Sequence, residues 1–123
     1  MNKFELIERT KKFAIHVFKL IDKLPKTQSA KVISYQLLKS ASSVAANYRA
    51  ACRAKSKADF IYKLKIVEEE ADESLFWLTF SKDIGIVSGD AELDILIKES
   101  NELVAIFTQS LKTLKSYIVN PTL

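Results

Sequence analysis

The chain has 123 residues, of which 48% are hydrophobic and 28% charged, with two Gly and two Pro. This composition excludes a disordered or disulfide-stapled protein and is typical of one globular domain, which we expect to span residues 1–123. The net charge of +4 permits an acidic or nucleic-acid partner without requiring one. Cys52 is the only cysteine and cannot form an internal disulfide, as is common in cytoplasmic proteins.

The first predicted element is an amphipathic helix from Lys3 to Lys23. It ends before Pro25, because the residue that precedes a proline is displaced from helical geometry. Charged residues interrupt its apolar positions throughout. The segment therefore matches neither a signal peptide nor a membrane-spanning helix.

Helix two is predicted from Ala30 to Arg53, with Ser29 as its N-cap. Its apolar residues recur every three or four positions and predict a core stripe of Ala30, Ile33, Leu37, Ala41, Val44 and Tyr48. Helix three follows at Ser56, where Ser56 and Asp59 resemble a capping box with Asp in place of Glu. One continuous helix through this join, swapped between chains, is the alternative, since no helix breaker lies there.

Helix three is predicted to end near Lys82 to Gly85, with Gly85 in the left-handed conformation that closes many helices. Helix four is predicted from Asp90 to Val119, stopped by Asn120 and Pro121. Its predicted buried residues are Leu93, Leu96, Ser100, Leu103, Phe107, Leu111, Leu114 and Ile118. Short connections favour antiparallel neighbours, so the sequence predicts an all-α, antiparallel up-down-up-down four-helix bundle.

Helix three carries two opposite apolar stripes, because its side chains turn by about 100° per residue. One is a normal bundle seam of Phe60, Leu64, Val67, Ala71, Ser74 and Leu78. The second consists of Tyr62, Ile66, Glu69, Glu73, Phe76, Trp77 and Phe80, and should point away from the core. Exposed aromatic surface is typical of interfaces, so we expect self-association. The alternative is that helix four or the end of the chain covers this stripe.

The predicted interface also includes one face of helix two. Its residues are Ser42, Ser43, Ala46, Arg49, Ala50 and Arg53. The small side chains would let neighbouring backbones approach closely. Glu69 and Glu73 should pair with Arg49 or Arg53, because a carboxylate in a dry interface needs a cationic partner.

Catalytic and metal-binding patterns are missing from the sequence. A di-iron site in a four-helix bundle needs Glu-x-x-His motifs, and the single histidine, His16, is surrounded by cations. Cys52 lacks a catalytic partner, and Gly85 and Gly89 form no phosphate-binding loop. We therefore expect no enzymatic activity, no metal and no cofactor.

Basic residues recur every three or four positions along helix one. They are Arg9, Lys12, His16, Lys19 and Lys23, and we expect them on its outer face. Such a stripe can follow a phosphate backbone and gain affinity by counterion release. The sequence therefore predicts binding of RNA or DNA without strong sequence preference, although a simply solvated helix face explains the same pattern.

A family resemblance rests on Ser40–Asn47, which reads Ser-Ala-Ser-Ser-Val-Ala-Ala-Asn, and on Ser56–Phe60, which reads Ser-Lys-Ala-Asp-Phe. These segments resemble the signature of the 23S rRNA-intervening sequence proteins, also called four helix bundle proteins. Asn47 and Glu73 match that signature as well, whereas Ala50-Ala51 and Glu69-Glu70 stand where the family usually has Glu-Gly and Gly-Ser.

The resemblance implies a cytoplasmic bacterial protein that assembles as a ring-like homopentamer and has no established enzymatic activity. The chain is also similar to the accessory protein of diversity-generating retroelements, which implies that nucleic acid and a nucleic-acid enzyme are its partners. Two classes of function stay open at this point. One is a nucleic-acid-binding accessory protein, and the other is a structural oligomer that scaffolds another protein.

Overall fold

The computed structural model describes residues 1–87, 89 and 91–119, with side chains up to residue 115. It contains four α-helices: α1 (Lys3–Ile21), α2 (Gln28–Ala51), α3 (Lys57–Asp83) and α4 (Ala91–Val119). Within these residues there is no strand, and no helix is long and apolar enough to cross a membrane. The predicted stop at Asn120 and Pro121 and the predicted burial of Ile118 lie outside the described residues and side chains.

Helix α1 begins with a polar cap and ends before a proline. The Asn2 side chain accepts a hydrogen bond from the Glu5 backbone N–H at 2.9 Å, which satisfies one of the free donors of the first turn. The helix ends at Ile21, two residues earlier than the predicted Lys23, and the chain turns before Pro25.

Helix α2 is capped by Thr27, whose hydroxyl oxygen accepts a hydrogen bond from the Ala30 N–H at 3.1 Å. The prediction of Ser29 as the N-cap was therefore wrong, because Thr27 supplies the acceptor two residues earlier and extends the helix in that direction. At the other end α2 stops at Ala51 and not at Arg53.

The join between α2 and α3 is a tight turn over residues 52–56. The Ser56 hydroxyl accepts from the Asp59 N–H at 3.1 Å, which confirms the predicted cap. The Asp59 carboxylate reaches the Lys55 N–H at 3.4 Å, one residue before the N–H that a standard capping box engages. A single continuous helix is not formed, because this cap ends α2 and starts α3 in a new direction.

Helix α3 ends at Asp83 with Ile84 as its C-cap, and Gly85 follows with a φ of +66°. The Gly85 N–H donates to the carbonyl of Lys82 at 3.0 Å, and the Ile86 N–H donates to the carbonyl of Ser81 at 3.1 Å. These two bonds define a Schellman motif, which needs a left-handed residue at this position. The predicted role of Gly85 is confirmed.

The four helices pack as a ring of antiparallel neighbours. Helix α1 packs on α2, α2 on α3 and α3 on α4, and α4 closes the ring against α1 over a less extensive contact. Among the described residues the diagonal pairs are not in contact. This arrangement confirms the up-down-up-down bundle, since short loops return the chain to the adjacent helix.

The core follows the predicted stripes of α2 and α4. Every residue of the α2 stripe is buried, and so are the α4 residues predicted for burial up to Leu111, whereas Leu114 is half-buried. Polar groups inside the core are bonded: the Thr10 hydroxyl donates to the Leu6 carbonyl at 2.9 Å. The Ser40 and Ser74 hydroxyls lie 2.9 Å apart and connect α2 to α3.

Candidate interaction surfaces

An aromatic ridge lies on the second stripe of α3 and consists of Phe76, Trp77 and Phe80. Its rings contact one another, with centroid separations of 5.0 Å for Phe76 and Trp77, 5.8 Å for Phe76 and Phe80, and 5.6 Å for Trp77 and Phe80. Phe76 is 53% exposed and Phe80 is 40% exposed. Both rings are therefore apolar surface among the described residues. The alternative that the end of the chain covers them lies outside the described residues.

Trp77 differs from its prediction as an outward-pointing residue. It is half-buried and packs against the hydrophobic core, while Phe76 and Phe80 flank it on the exposed side. Its indole Nε1 is buried and has no hydrogen-bond partner among the described residues. An unpaired buried N–H costs free energy, so the described residues do not fully satisfy the base of the ridge.

The polar members of the second stripe are exposed in the single chain. Glu69 and Glu73 form no ion pair with Arg49 or Arg53 among the described residues, and all four side chains are solvent-exposed. Pairing across an interface between copies stays a prediction. Burial, followed by the nearby charge of Glu73, raises the pKa of the Glu70 carboxyl, which faces α2.

A shallow apolar groove runs between α1 and α2 and has a volume of about 360 Å³. Its floor on α2 is made of small residues, among them Ser42 and Ala46 from the predicted interface. Its wall on α1 includes Ile15 and Phe18, which are 45% and 43% exposed. The structure therefore adds α1 residues to the apolar surface that the sequence placed on α2 alone.

A signal for Ile15 and Phe18 is present in the sequence. The buried residues of α1 near them are Ala14 and Val17, each one position earlier, and this spacing repeats along the helix. A helix whose apolar residues continue on one side of its core stripe has a wider apolar face than one neighbour can cover.

The cationic side chains of α1 divide between helix α4 and solvent. The Arg9 guanidinium donates to both carboxylate oxygens of Glu99, at 2.8 and 2.7 Å, and lies 3.5 Å from the carboxylate of Glu102. The hydrogen bonds from Glu99 raise the pKa of Arg9 above its ordinary value. Arg9 therefore serves as a bridge between α1 and α4.

Two further members of the stripe contact α4 through one carboxylate. The Lys23 ammonium lies 2.7 Å from Glu92, and the His16 Nε2 lies 3.9 Å from the same residue. The hydrogen bond from Lys23 lowers the pKa of Glu92. Lys12 and Lys19 are exposed and form no ion pair among the described residues, so they are the members of the stripe that extend to solvent.

No group of three or more His, Cys, Asp and Glu side chains is placed to hold a metal ion within the described part of the chain. Cys52 is half-buried at the end of α2. Burial raises the pKa of the neighbouring Tyr48 phenol, and Cys52 adds to that shift. The features that remain are surfaces rather than pockets for a small molecule.

Four helices, an antiparallel ring and a core of apolar stripes define an all-α four-helix-bundle protein. The chain belongs to the 23S rRNA-intervening sequence protein family, whose sequence model matches residues 2–109. The family resemblance is thereby confirmed over most of the chain. No curated protein matches this sequence.

A solved structure of similar fold is a protein with unknown function from the S23 ribosomal protein family of Bacteroides thetaiotaomicron VPI-5482. The two chains are 29% identical, with a TM-score of 0.81. The alignment covers 91% of this chain and 99% of that one. The bundle described above is therefore similar in extent to that solved structure.

Proposed function

We propose that this chain is a non-enzymatic protein whose bundles self-associate and, as an assembly, bind the backbone of RNA or DNA. The observation that carries the proposal of self-association is the aromatic ridge. Two phenylalanine rings of one helix are about half exposed and lie edge-to-face against a tryptophan. The indole N–H of that tryptophan has no hydrogen-bond acceptor among the described residues. Exposed aromatic surface of this kind is enriched where proteins contact one another.

The ridge and the α1–α2 groove lie on different helices and have complementary character. Phenylalanine rings project from α3, and small side chains leave space on α2. A contact between two different surfaces of the same protein is heterologous, and it generates a ring when the rotation closes. This supports the proposal of a closed oligomer. The number of five subunits comes from the family resemblance.

Light scattering after size-exclusion chromatography tests the proposed assembly. We expect a mass that is a multiple of the 13.9 kDa chain at micromolar concentration. A mass of 13.9 kDa that persists up to high micromolar concentration would overturn the proposed self-association.

For nucleic acid, the support from α1 consists of its exposed Lys12 and Lys19. Two cations in one chain give weak phosphate binding, but copies in an assembly multiply the contacts that one polyanion can make. The similarity to the accessory protein of diversity-generating retroelements, which prompted a nucleic-acid partner, remains a prediction. Binding should weaken steeply with salt and should not depend on base sequence, because phosphate contacts carry no base information.

The alternative function is a structural oligomer that scaffolds another protein. It is favoured by the contacts of Arg9, His16 and Lys23 with α4, because three of the five residues of the stripe then contact carboxylates of the bundle itself. Mobility-shift assays in low salt separate the two functions. The scaffold is correct if micromolar protein retains neither single strands, duplex DNA nor structured RNA.

A further inference from the structure

The charge of this chain is concentrated at one end of the bundle. The antiparallel topology brings together the start of α1, the end of α2, the start of α3 and the end of α4. We call residues 1–8, 47–67 and 109–115 the basic end. They contain nine Lys and Arg against three Asp and Glu, a net charge of +6, whereas the rest of the chain contains ten against twelve.

Contacts between helices fix which residues share this end. The Thr108 hydroxyl donates to Glu68 at 2.6 Å, and the ring centroids of Tyr48 and Phe107 are 5.6 Å apart. Because α3 and α4 are antiparallel, Lys65 and Lys112 are displaced from the Glu68–Thr108 contact in the same direction along the bundle. The late residues of α2 continue to this end as well.

The ridge and the α1–α2 groove, through which we propose self-association, contain none of the basic-end cations, most of which are exposed in the single chain. Arg49, Arg53, Lys65, Lys112 and Lys115 are all solvent-exposed, and none of them forms an ion pair among the described residues. This differs from the stripe that begins on α1, where carboxylates of α4 contact Arg9, His16 and Lys23.

Asp59 is the only carboxylate side chain that α3 contributes to this end. It is already engaged by Lys63 at 2.9 Å and by the Lys55 N–H. The hydrogen bond from Lys63 is the main reason why the pKa of Asp59 is lowered. Asp59 therefore stays anionic but does not neutralise the exposed cations on the neighbouring helices.

An exposed aromatic side chain lies on α3 at this end of the bundle. Tyr62 lies on α3 and is 65% exposed, one helical turn from Lys65. Exposed aromatic rings that alternate with basic residues bind single-stranded nucleic acid, because the ring stacks on a base while the cations contact phosphates. A duplex offers phosphates but keeps its bases stacked, so the ring gains nothing from it.

We infer that the basic end binds single-stranded nucleic acid, with the exposed Lys and Arg on its phosphates and Tyr62 stacked on a base. The inference rests on the proposed function, which names nucleic acid as the ligand. It differs from that proposal because the binding surface is the basic end and not the stripe on α1. About five phosphate contacts give a slope of about −3.5 in log affinity against log salt for a single strand. Affinity should therefore fall about 100-fold between 50 and 200 mM NaCl.

The test is fluorescence anisotropy with a fluorescein-labelled 20-nucleotide oligouridylate and the full chain. Two variants are matched in net charge: Lys112→Glu/Lys115→Glu at the basic end and Lys12→Glu/Lys19→Glu on α1. All four positions are exposed, so circular dichroism should show the same helix content in both. We expect at least a tenfold loss of affinity for the first variant and a loss at least three times smaller for the second.

The relative losses of affinity of the two variants distinguish the basic end from the α1 stripe as the binding surface. Equal losses for the two variants would show a response to net charge alone and overturn the inference. A loss confined to the α1 variant would overturn the inference and leave the proposed α1 site standing. A loss confined to the basic-end variant supports the inference and removes α1 as the site. Failure of the unmodified chain to bind at 50 mM NaCl would overturn both.

Tyr62→Ala tests the choice of single strands over duplexes. It should weaken oligouridylate binding at least about fivefold, leave binding of a 20-base-pair duplex unchanged, and be rescued by Tyr62→Phe, because stacking needs only the ring. Tyr35→Ala is the matched control, since Tyr35 is equally exposed on α2. No loss for Tyr62→Ala, or an equal loss on both ligands, would overturn the assignment of single strands.

Discussion

Phe76→Ala should weaken the proposed self-association far more than it weakens the fold. Phe76 is 53% exposed and Phe80 is 40% exposed. A phenylalanine side chain buries about 200 Å², so covering both exposed portions removes about 190 Å² from water, worth about 4–5 kcal/mol at ~25 cal/mol per Å². Phe76→Ala should forfeit about 2 kcal/mol of this, or about a 30-fold rise in the dissociation constant of each contact.

Sedimentation equilibrium over a concentration series measures that change, and thermal denaturation at low concentration measures the fold. The variant that also carries Phe80→Ala should show a rise of about 1,000-fold, because about 4 kcal/mol is then lost. Tyr35→Ala removes an exposed ring from α2 and should leave the assembly unchanged. Identical dissociation constants for Phe76→Ala and Tyr35→Ala would refute the role of the ridge.

Three predictions concern the bundle itself. Gly85→Ala should lower the free energy of unfolding by about 1–2 kcal/mol in urea denaturation, because its φ of +66° strains an L residue with a Cβ atom, and Gly85→Asn should lower it less. No neighbouring atom lies within 4 Å of the added carbon, so steric crowding adds nothing to the loss. Ser74→Ala should cost about 1 kcal/mol, because the buried Ser40 hydroxyl loses the bond from Ser74 and keeps only its 3.5 Å bond to the Leu37 carbonyl. Adding Ser40→Ala should cost little more, and strictly additive losses would contradict this coupling. Lys23→Met should return the pKa of Glu92 toward 4.5, as measured by NMR titration, and an unchanged titration would contradict the ion pair. The variant should be less stable than the unmodified chain above that pH, and the difference should disappear as the pH falls and Glu92 becomes protonated.

Burial along α2 and α4 could be predicted from the sequence because it depends on little beyond the helical period. Ile33 and Leu103 lie on stripes that any antiparallel neighbour would cover. The closing motif at Gly85 was equally predictable, since few residues tolerate its backbone conformation. Such features depend on residues that are only one or two helical turns apart in the sequence.

The candidate surfaces depend on distant parts of the chain and were predicted less completely. Arg9 turns toward α4 because Glu99, ninety positions later, is level with it in the folded bundle. The direction of the Arg9 side chain depends on how α1 is rotated about its own axis against its neighbours. That rotation cannot be predicted from the periodicity of α1. Trp77 is half-buried for a similar reason, since its ring can lean toward the core from a position that a helical projection places outside.

The basic end shows the same dependence on topology. Lys65 and Lys115 are fifty positions apart, and their segments look unremarkable when each is considered alone. Only the antiparallel order of the helices brings them to one end.

The seam between α1 and α4 has a consequence for how the bundle opens. It is the least extensive of the four helix contacts, and the Arg9–Glu99 and Lys23–Glu92 ion pairs cross it. Salt screens partly exposed pairs, since the Debye length falls to about 3 Å at 1 M, while apolar seams keep their strength. The backbone amides of α1 should therefore exchange with deuterium sooner than those of α2 and α3, and the difference should widen in concentrated salt. Helix α1 is then the part of the fold best suited to detach from one bundle and dock on another.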